Sequence, residues 1–529
     1  MRKIFTLFFC AASLATGLAQ QESYFTNPVI HGDVADPSII RIDQTYYITG
    51  TSSEWAPYYP VFTSTDLVNW QQTGHVFDEK PEWTKSSFWA PEWYQHKGKV
   101  YVYYTARKQS DNISCIGVAV ADSPTGKFKD HGPVVEFGKE AIDAFILEDK
   151  GKLYISWKAY GLDNQPIELL ACKLTDDGLR LDGKPFSLLR DDERQGMEGQ
   201  HWFKKDGYYY ISIPEGGVST GWQTVMRSKN IYGPYEQKRV LEMGSTKVNG
   251  PHQGALVDTP EGEWWFYHFQ STEPQGRVVH LQPVVWKDGF PEMGTDYDKN
   301  GIGEPMKICR KPSTGVETKA YAPQSSDDFE ATELGLQWQF NHNPHDGYWS
   351  LTEKPGWLAI KSQKAEKLRT AFNQFTQKTM GYKGVVTVKI DFAQLTPGGR
   401  AGIECIGNKF VGGGVIMEDK DGTATPRLYM EKDGTAQTTS FNISSVMDKG
   451  IYIRLEIDAM NNKHKFYYSV DNETFIEFGD TFESGSGDWK GSRIGLYSYN
   501  TQETSGTAYF DEFTYLFDGP GGLASHTSK

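Results

Sequence analysis

Between Asn27 and Gly315 apolar and polar positions alternate in short runs, the period-two pattern of half-buried strands, and Gly, Asp and Asn separate the runs. One aromatic-rich run recurs as Tyr46-Tyr47-Ile48-Thr49, Val100-Tyr101-Val102-Tyr103, Leu153-Tyr154-Ile155-Ser156, Tyr208-Tyr209-Tyr210-Ile211 and Trp264-Trp265-Phe266-Tyr267. Aligned on Tyr47, Tyr101, Tyr154, Tyr209 and Trp265, the copies lie 54, 53, 55 and 56 residues apart. Lys97-Gly98, Lys150-Gly151, Asp206-Gly207 and Glu261-Gly262 precede four copies and Asp43-Gln44 the first, so each run reads as the second arm of a hairpin. Further alternating runs follow in the same units, as in Val61 to Ser64, Ile116 to Ala121 and Val225 to Ser228. Four strands in each of five ~55-residue units predict a five-bladed β-propeller over residues 27–315. The rival, a large β-sandwich, requires the near-constant interval to be chance.

After Gly315 the period vanishes, and the stretch Lys311 to Ser326 is rich in Ser, Thr, Pro and Lys. Beyond it Val385 to Ile390, Tyr452 to Ile457 and Lys465 to Ser469 alternate again between Gly-rich turns. These predict a β-sandwich domain over residues 326–519, with Phe329 near its start pairing with Tyr509 to Phe513 at its end.

Composition narrows the class. The 529-residue chain carries 15 Trp, 29 Tyr and 29 Phe, too many rings seeking burial for a disordered protein, and 54 Gly with 25 Pro favour turns over helices. The expectation is all-β. A net charge of -14 repels phosphate backbones and excludes nucleic acid as a partner. Arg2 and Lys3, the apolar run Ile4 to Leu18 and the small-residue site Gly17-Leu18-Ala19 read as a signal peptide over residues 1–19, implying export to the periplasm or the medium. No later run is apolar enough for a membrane span. Phe9 before Cys10 argues against lipid attachment, and Cys115, Cys172, Cys309 and Cys405 are spaced as buried free thiols rather than as a metal knuckle or disulfide framework.

The repeat also locates candidate chemistry. Eleven residues before each anchor stand Asp36, Ala90, Asp143, Glu198 and Gly254, which equivalence of the units places at one height around the axis. Singly, Asp36 reads as a turn residue, Asp143 as an acceptor for a backbone amide and Glu198 as a surface acid. Jointly, three carboxylates and two small residues in register read as a site, because unpartnered acids so close repel unless chemistry needs them. Two carboxylates flanking a bond, with a third tuning one of them by like-charge repulsion, suit glycoside hydrolysis. Trp89 reads either as a platform for a sugar face or as blade packing.

At this point a resemblance is specific enough to state. Asn27-Pro28, Ala35-Asp36-Pro37-Ser38, Trp89-Ala90-Pro91-Glu92, Ala141-Ile142-Asp143-Ala144, Met197-Glu198-Gly199-Gln200-His201, Gly250-Pro251-His252-Gln253 and the run from Gly276-Arg277 to Phe290-Pro291 together resemble glycoside hydrolase family 43. The second domain is similar to the concanavalin-like sandwich of its α-L-arabinofuranosidase and β-xylosidase branch. The resemblance implies Asp36 as general base, Glu198 as general acid and Asp143 as the residue tuning and orienting that acid. It implies that Arg277 contacts sugar hydroxyls and the tuning Asp, and that His252 binds substrate or a central water or cation. No cofactor is required; a structural calcium ion with His252 near it is the one metal the resemblance allows. The expected activity is exo-acting and inverting, releasing terminal α-L-arabinofuranosyl residues from a pentose-containing oligo- or polysaccharide. The alternative is a β-D-xylosidase or a bifunctional enzyme, with an endo-arabinanase or a non-catalytic sugar-binding propeller further behind. Gln200 where Pro is usual, and Glu92 where Asp is common, are departures expected to affect the rim without touching the acids.

Overall fold

Each aromatic repeat folds as the predicted hairpin and gains two outer strands. In the computed structural model the first blade runs Ala35–Ile42, Thr45–Thr51, Tyr58–Ser64 and Gln71–Phe77, hydrogen-bonded in that order and antiparallel. Four further blades repeat the scheme, beginning with the strands Thr84–His96, Glu140–Asp149, His201–Lys205 and His252–Asp258. These first strands are the innermost, and they contact one another in cyclic order, the fifth closing on the first. The structure describes residues 24–518 except 31, 137–138, 161–166, 191–195, 317–320, 421–422, 486 and 488–489. The expected signal peptide, residues 1–19, lies outside the described residues.

The hairpin turns follow from backbone twist. Lys97, Lys150 and Asp206 have φ of 49°, 50° and 49°, and the glycines after them 74°, 70° and 79°. Two successive left-handed residues match the right-handed twist of the flanking strands, so the second is glycine. Between blades the recurrent aromatics form the core. Tyr59, Phe77, Phe88 and Tyr104 pack together between the first and second blades, and Trp157 and Trp202 are wholly buried. Each such ring contributes about 1.5–3 kcal/mol of burial. The ring of blades is fastened by Tyr24–Thr26 pairing with Ile308–Arg310, and by Asn27, whose Nδ2 donates to Leu281 O and Met306 O, both at 2.9 Å. Cys115, Cys172, Cys309 and Cys405 are buried free thiols, as expected.

The second domain is a sandwich of two antiparallel-rich sheets around a core including Phe375, Val388, Ile403, Leu455 and Phe510. The alternating runs read from sequence are its strands Lys383–Gln394, Ile451–Asp458 and Lys463–Ser469. Its ends do meet, but through Asp327 bridging Phe513; Phe329 has φ of 52° and lies outside the ladder, a correction to the expected pairing. One sheet continues into the propeller: Trp55–Ala56, between the second and third strands of the first blade, pairs with Phe340 and Asn341. His342 N donates to Glu54 O at 2.7 Å beside this junction. The two domains therefore share backbone hydrogen bonds, unlike a freely tethered module. Among the described residues no helix is long and apolar enough to cross a membrane.

Candidate active site

Four innermost strands are broken near the axis by a kink where a residue adopts positive φ, Asp36 at 52°, Ala90 at 28°, Asp143 at 58° and Gln253 at 28°, and in the fourth blade the kink, Gly199 at 55°, comes just before the strand. The ladder registers shift at the kinks of the first, second, third and fifth blades. The sequence register thus holds for Asp36, Ala90 and Asp143. It slips by one in the fourth blade, where Glu198 precedes the kink, and by one in the fifth, where Gly254 follows it. At Gly199 a Cβ would lie 2.4 Å from the Gln253 side chain, so a larger residue would have to displace Gln253, and the acid sits beside the kink.

Asp36 is 7 % exposed and held at both oxygens. Arg277 Nη1 lies 3.0 Å from Oδ1, and Thr51 Oγ1 donates to Oδ2 at 2.6 Å while accepting from Ala90 N at 2.7 Å. Burial raises its pKa above the ordinary value, against the opposing pull of Arg277 and Thr51. Arg277, stacked on the Phe269 ring at 4.6 Å, therefore pairs with the expected base, whereas the resemblance had it contact the tuning Asp143. That part of the expectation is corrected: Arg277 stands on the fifth blade, which adjoins the first, so its side chain reaches Asp36. The opposing charge at Asp143 comes from Lys158.

Asp143 is also 7 % exposed; its Oδ2 accepts from Gly199 N at 3.0 Å and its backbone N–H donates to Thr105 Oγ1 at 3.1 Å. Burial together with the charges of Glu198 and Asp36 pushes it up to about 8. Glu198 is the accessible member, its side chain 31 % exposed. Lys158 Nζ donates to its Oε2 at 2.9 Å, and His252 Nε2 lies 3.7 Å from Oε1. Burial alone would raise Glu198, but Lys158, joined by His252 only when that imidazole is protonated, outweighs it and lowers its pKa. The two shifts run opposite to the sequence expectation: burial and neighbouring charge raise Asp143 while Lys158 lowers Glu198, so the shared proton of the pair favours Asp143. The cause is Lys158, which sequence reasoning missed. Its signal was present, a lone lysine inside the apolar strand Lys152–Tyr160, and it pairs with Ile142, beside the kink at Asp143.

Trp89 lies one residue before the second kink, half-buried, with Nε1 donating to Ser53 Oγ at 3.1 Å and the Arg107 guanidinium 5.4 Å from its ring centre. His252 is wholly buried and burial lowers its pKa to about 4, so it is neutral at ordinary pH. Neither ring nitrogen has a hydrogen-bond partner in the protein. A calcium ion takes about six to eight oxygen ligands. Among the described residues no group of three or more His, Cys, Asp or Glu is arranged to hold a metal, and the imidazole of His252 alone is a poor calcium donor. Glu92 and Gln200 are not at the rim. Both are buried and line a narrow axial cavity with Asp36, Ala90 and Asp143, because the chain turns down the axis after each kink. Gln200 does touch an acid: its Nε2 donates to Asp143 O at 2.6 Å. Glu92 accepts from Ser38 Oγ at 2.7 Å, and burial raises its pKa well above the carboxylate range.

Two carboxyls that share a proton beside a third, ionised by an arginine, can act as an acid and a base on opposite sides of a bond. Residues 25–291 match the family model described as Glycosyl hydrolases family 43, and residues 326–516 the one described as Beta xylosidase C-terminal Concanavalin A-like domain. The chain is 37 % identical, over 90 % of its length and 86 % of the relative's, to a putative beta-xylosidase of Xylanibacter ruminicola. It is 28 % identical to a non-reducing end alpha-L-arabinofuranosidase of Bacteroides ovatus, over 93 % of this chain and 94 % of the relative. The crystal structure of the GH43 protein BlXynB from Bacillus licheniformis superposes with a TM-score of 0.80 at 26 % identity, covering 93 % of this chain and 99 % of that one.

Proposed function

This chain belongs to glycosyl hydrolases family 43, and from that premise we propose that it releases non-reducing terminal β-D-xylosyl residues from a plant-derived oligo- or polysaccharide. The observation that carries xyloside over the arabinofuranoside first expected is the graded likeness: the more similar of the two relatives is named a beta-xylosidase, and the C-terminal domain bears that name too. Arabinofuranoside hydrolysis stands as the second reading, supported by the Bacteroides ovatus relative. Exo action is favoured by the sandwich, whose Lys490 reaches Glu54 at 2.9 Å and so walls the propeller face beside Ser53 and Trp89. The charged start and apolar run of residues 1–19 favour export.

In the proposed mechanism Asp36 takes a proton from water as the water oxygen bonds to the anomeric carbon. The bond to the leaving oxygen breaks as Glu198 gives that oxygen its proton, and configuration inverts without a covalent intermediate. Arg277 and Thr51 fix the ionised base in one orientation. Glu198 has to carry the proton that rests on Asp143, and Lys158 sets how far that exchange lies toward Glu198. No step requires a metal.

The test compares kcat/KM on para-nitrophenyl β-D-xylopyranoside and α-L-arabinofuranoside, then on xylobiose with proton NMR of the first-formed sugar. The reading expects xyloside preferred and an inverted anomer. An arabinofuranoside preference of about tenfold or more would transfer the assignment to the second reading, and a retained anomer would remove Asp36 from the role of base.

A further inference from the structure

The sandwich does more than border the site. The turn between the strands Trp264–Thr272 and Gly276–Lys287 leads directly into Arg277, and the sandwich grips that turn at consecutive residues. Ser492 N donates to Pro274 O at 2.7 Å, and the buried Gln275 donates through Nε2 to Gly381 O at 2.9 Å. Gly276, with φ of 91°, has no room for a Cβ, which would stand 2.2 Å from Gly491 N and 2.5 Å from Asp33 Oδ1. The same Asp33 oxygen accepts from Arg277 N at 2.6 Å. One carboxylate thus holds the backbone of Arg277, and three residues later in the chain Asp36 holds its side chain. On the sandwich side Lys378 and Arg493 are direct cross-strand partners, like charges whose juxtaposition costs stability unless an anion faces them. The anion acting on both is Asp33.

We infer that Asp33 and Gln275 are positioning residues, through which the sandwich holds Arg277 against Asp36. The inference rests on the assignment of Asp36 as general base. It gives the second domain a role in the chemistry that a wall alone would not have. The charged groups acting on Asp36 are Arg277, Glu198 and Asp33, while Asp36 itself acts on Asp143 and on the buried, neutral Tyr59. Of these, only Arg277 stabilises the ionised base. When its grip loosens, Asp36 protonates at higher pH, and activity is lost earlier as pH falls.

The experiment uses the full chain and the acid limb of kcat/KM against pH, which reports the base in the free enzyme. Asp33→Asn removes a negative charge but keeps an oxygen to accept from Arg277 N; Asp33→Ala removes both. The limb of Asp33→Ala is expected about one pH unit above that of Asp33→Asn, the size of an arginine's hold on a neighbouring aspartate. Gln275→Ala changes no charge, and its limb is expected above wild type. Should Asp33→Ala fail to fold, Gln275→Ala against wild type decides alone. Coincident limbs for the two Asp33 variants, or a wild-type limb in Gln275→Ala despite reduced kcat/KM, would leave both residues merely structural and overturn the inference. Wild-type protein inactive on xylosides and arabinofuranosides alike would instead overturn the function, so the two failures are distinguishable.

Discussion

Asp143→Asn tests the proton-sharing pair most directly. The amide keeps an oxygen to accept from Gly199 N, so the kink at Gly199 survives, but the group that holds the resting proton is gone. In the wild type the pair loses its last proton at about 8, through burial and the charges of Glu198 and Asp36. That value belongs to the pair. In the variant Glu198 stands alone against Lys158, with no neighbouring Asp143 charge to raise it, and titrates below its ordinary 4.5. The acid works only when protonated, so activity is present below the pKa and lost as pH rises through it. The alkaline limb of kcat/KM on xylobiose should therefore fall by more than about 3 pH units. At pH 7 a group titrating near 8 is about nine-tenths protonated, while one at or below the ordinary carboxylate value is protonated in fewer than about one molecule in 300. Because the wild-type proton sits on Glu198 in only part of the molecules, turnover of xylobiose at neutral pH should drop by up to about two orders of magnitude, with xylobiose hydrolysis followed by sugar release across pH 3–10 as the assay. An alkaline limb within about half a pH unit of wild type would refute the proton-sharing argument.

Glu198→Ala should lose about 10²–10⁴ in kcat on xylobiose and much less on a dinitrophenyl xyloside, whose leaving group departs unprotonated; equal losses on both would place the acid elsewhere. Thr51→Val removes the hydroxyl that donates to Asp36 and strands Ala90 N, so the acid limb should rise and thermal unfolding should show a loss of about 1–3 kcal/mol. A chain ending at residue 315 loses the strand partner of Trp55–Ala56, the Lys490 to Glu54 ion pair and the grip on Pro274 and Gln275. It should be poorly soluble or inactive even on para-nitrophenyl xyloside, and full activity there would mark the sandwich as an independent module.

The propeller is legible along the chain, because strand alternation and hairpin turns are local and five nearly equal units repeat them. The sequence also placed Asp36 and Asp143, whose kinks keep the repeat's register. Glu198 was found through a register that slips by one at its blade, where the kink falls on Gly199, packed against Gln253 of the next blade. What the tertiary structure alone decided was charge. The Arg277 guanidinium reaches Asp36 from 241 positions away, and Lys158 reaches Glu198 from 40. Neither pairing leaves a trace in local spacing, yet they decide which carboxyl is ionised. The same holds for the domain junction. Trp55–Ala56 reads as part of the propeller and folds as the edge of the sandwich sheet, since an unpaired strand edge takes its partner from whatever backbone the fold brings alongside.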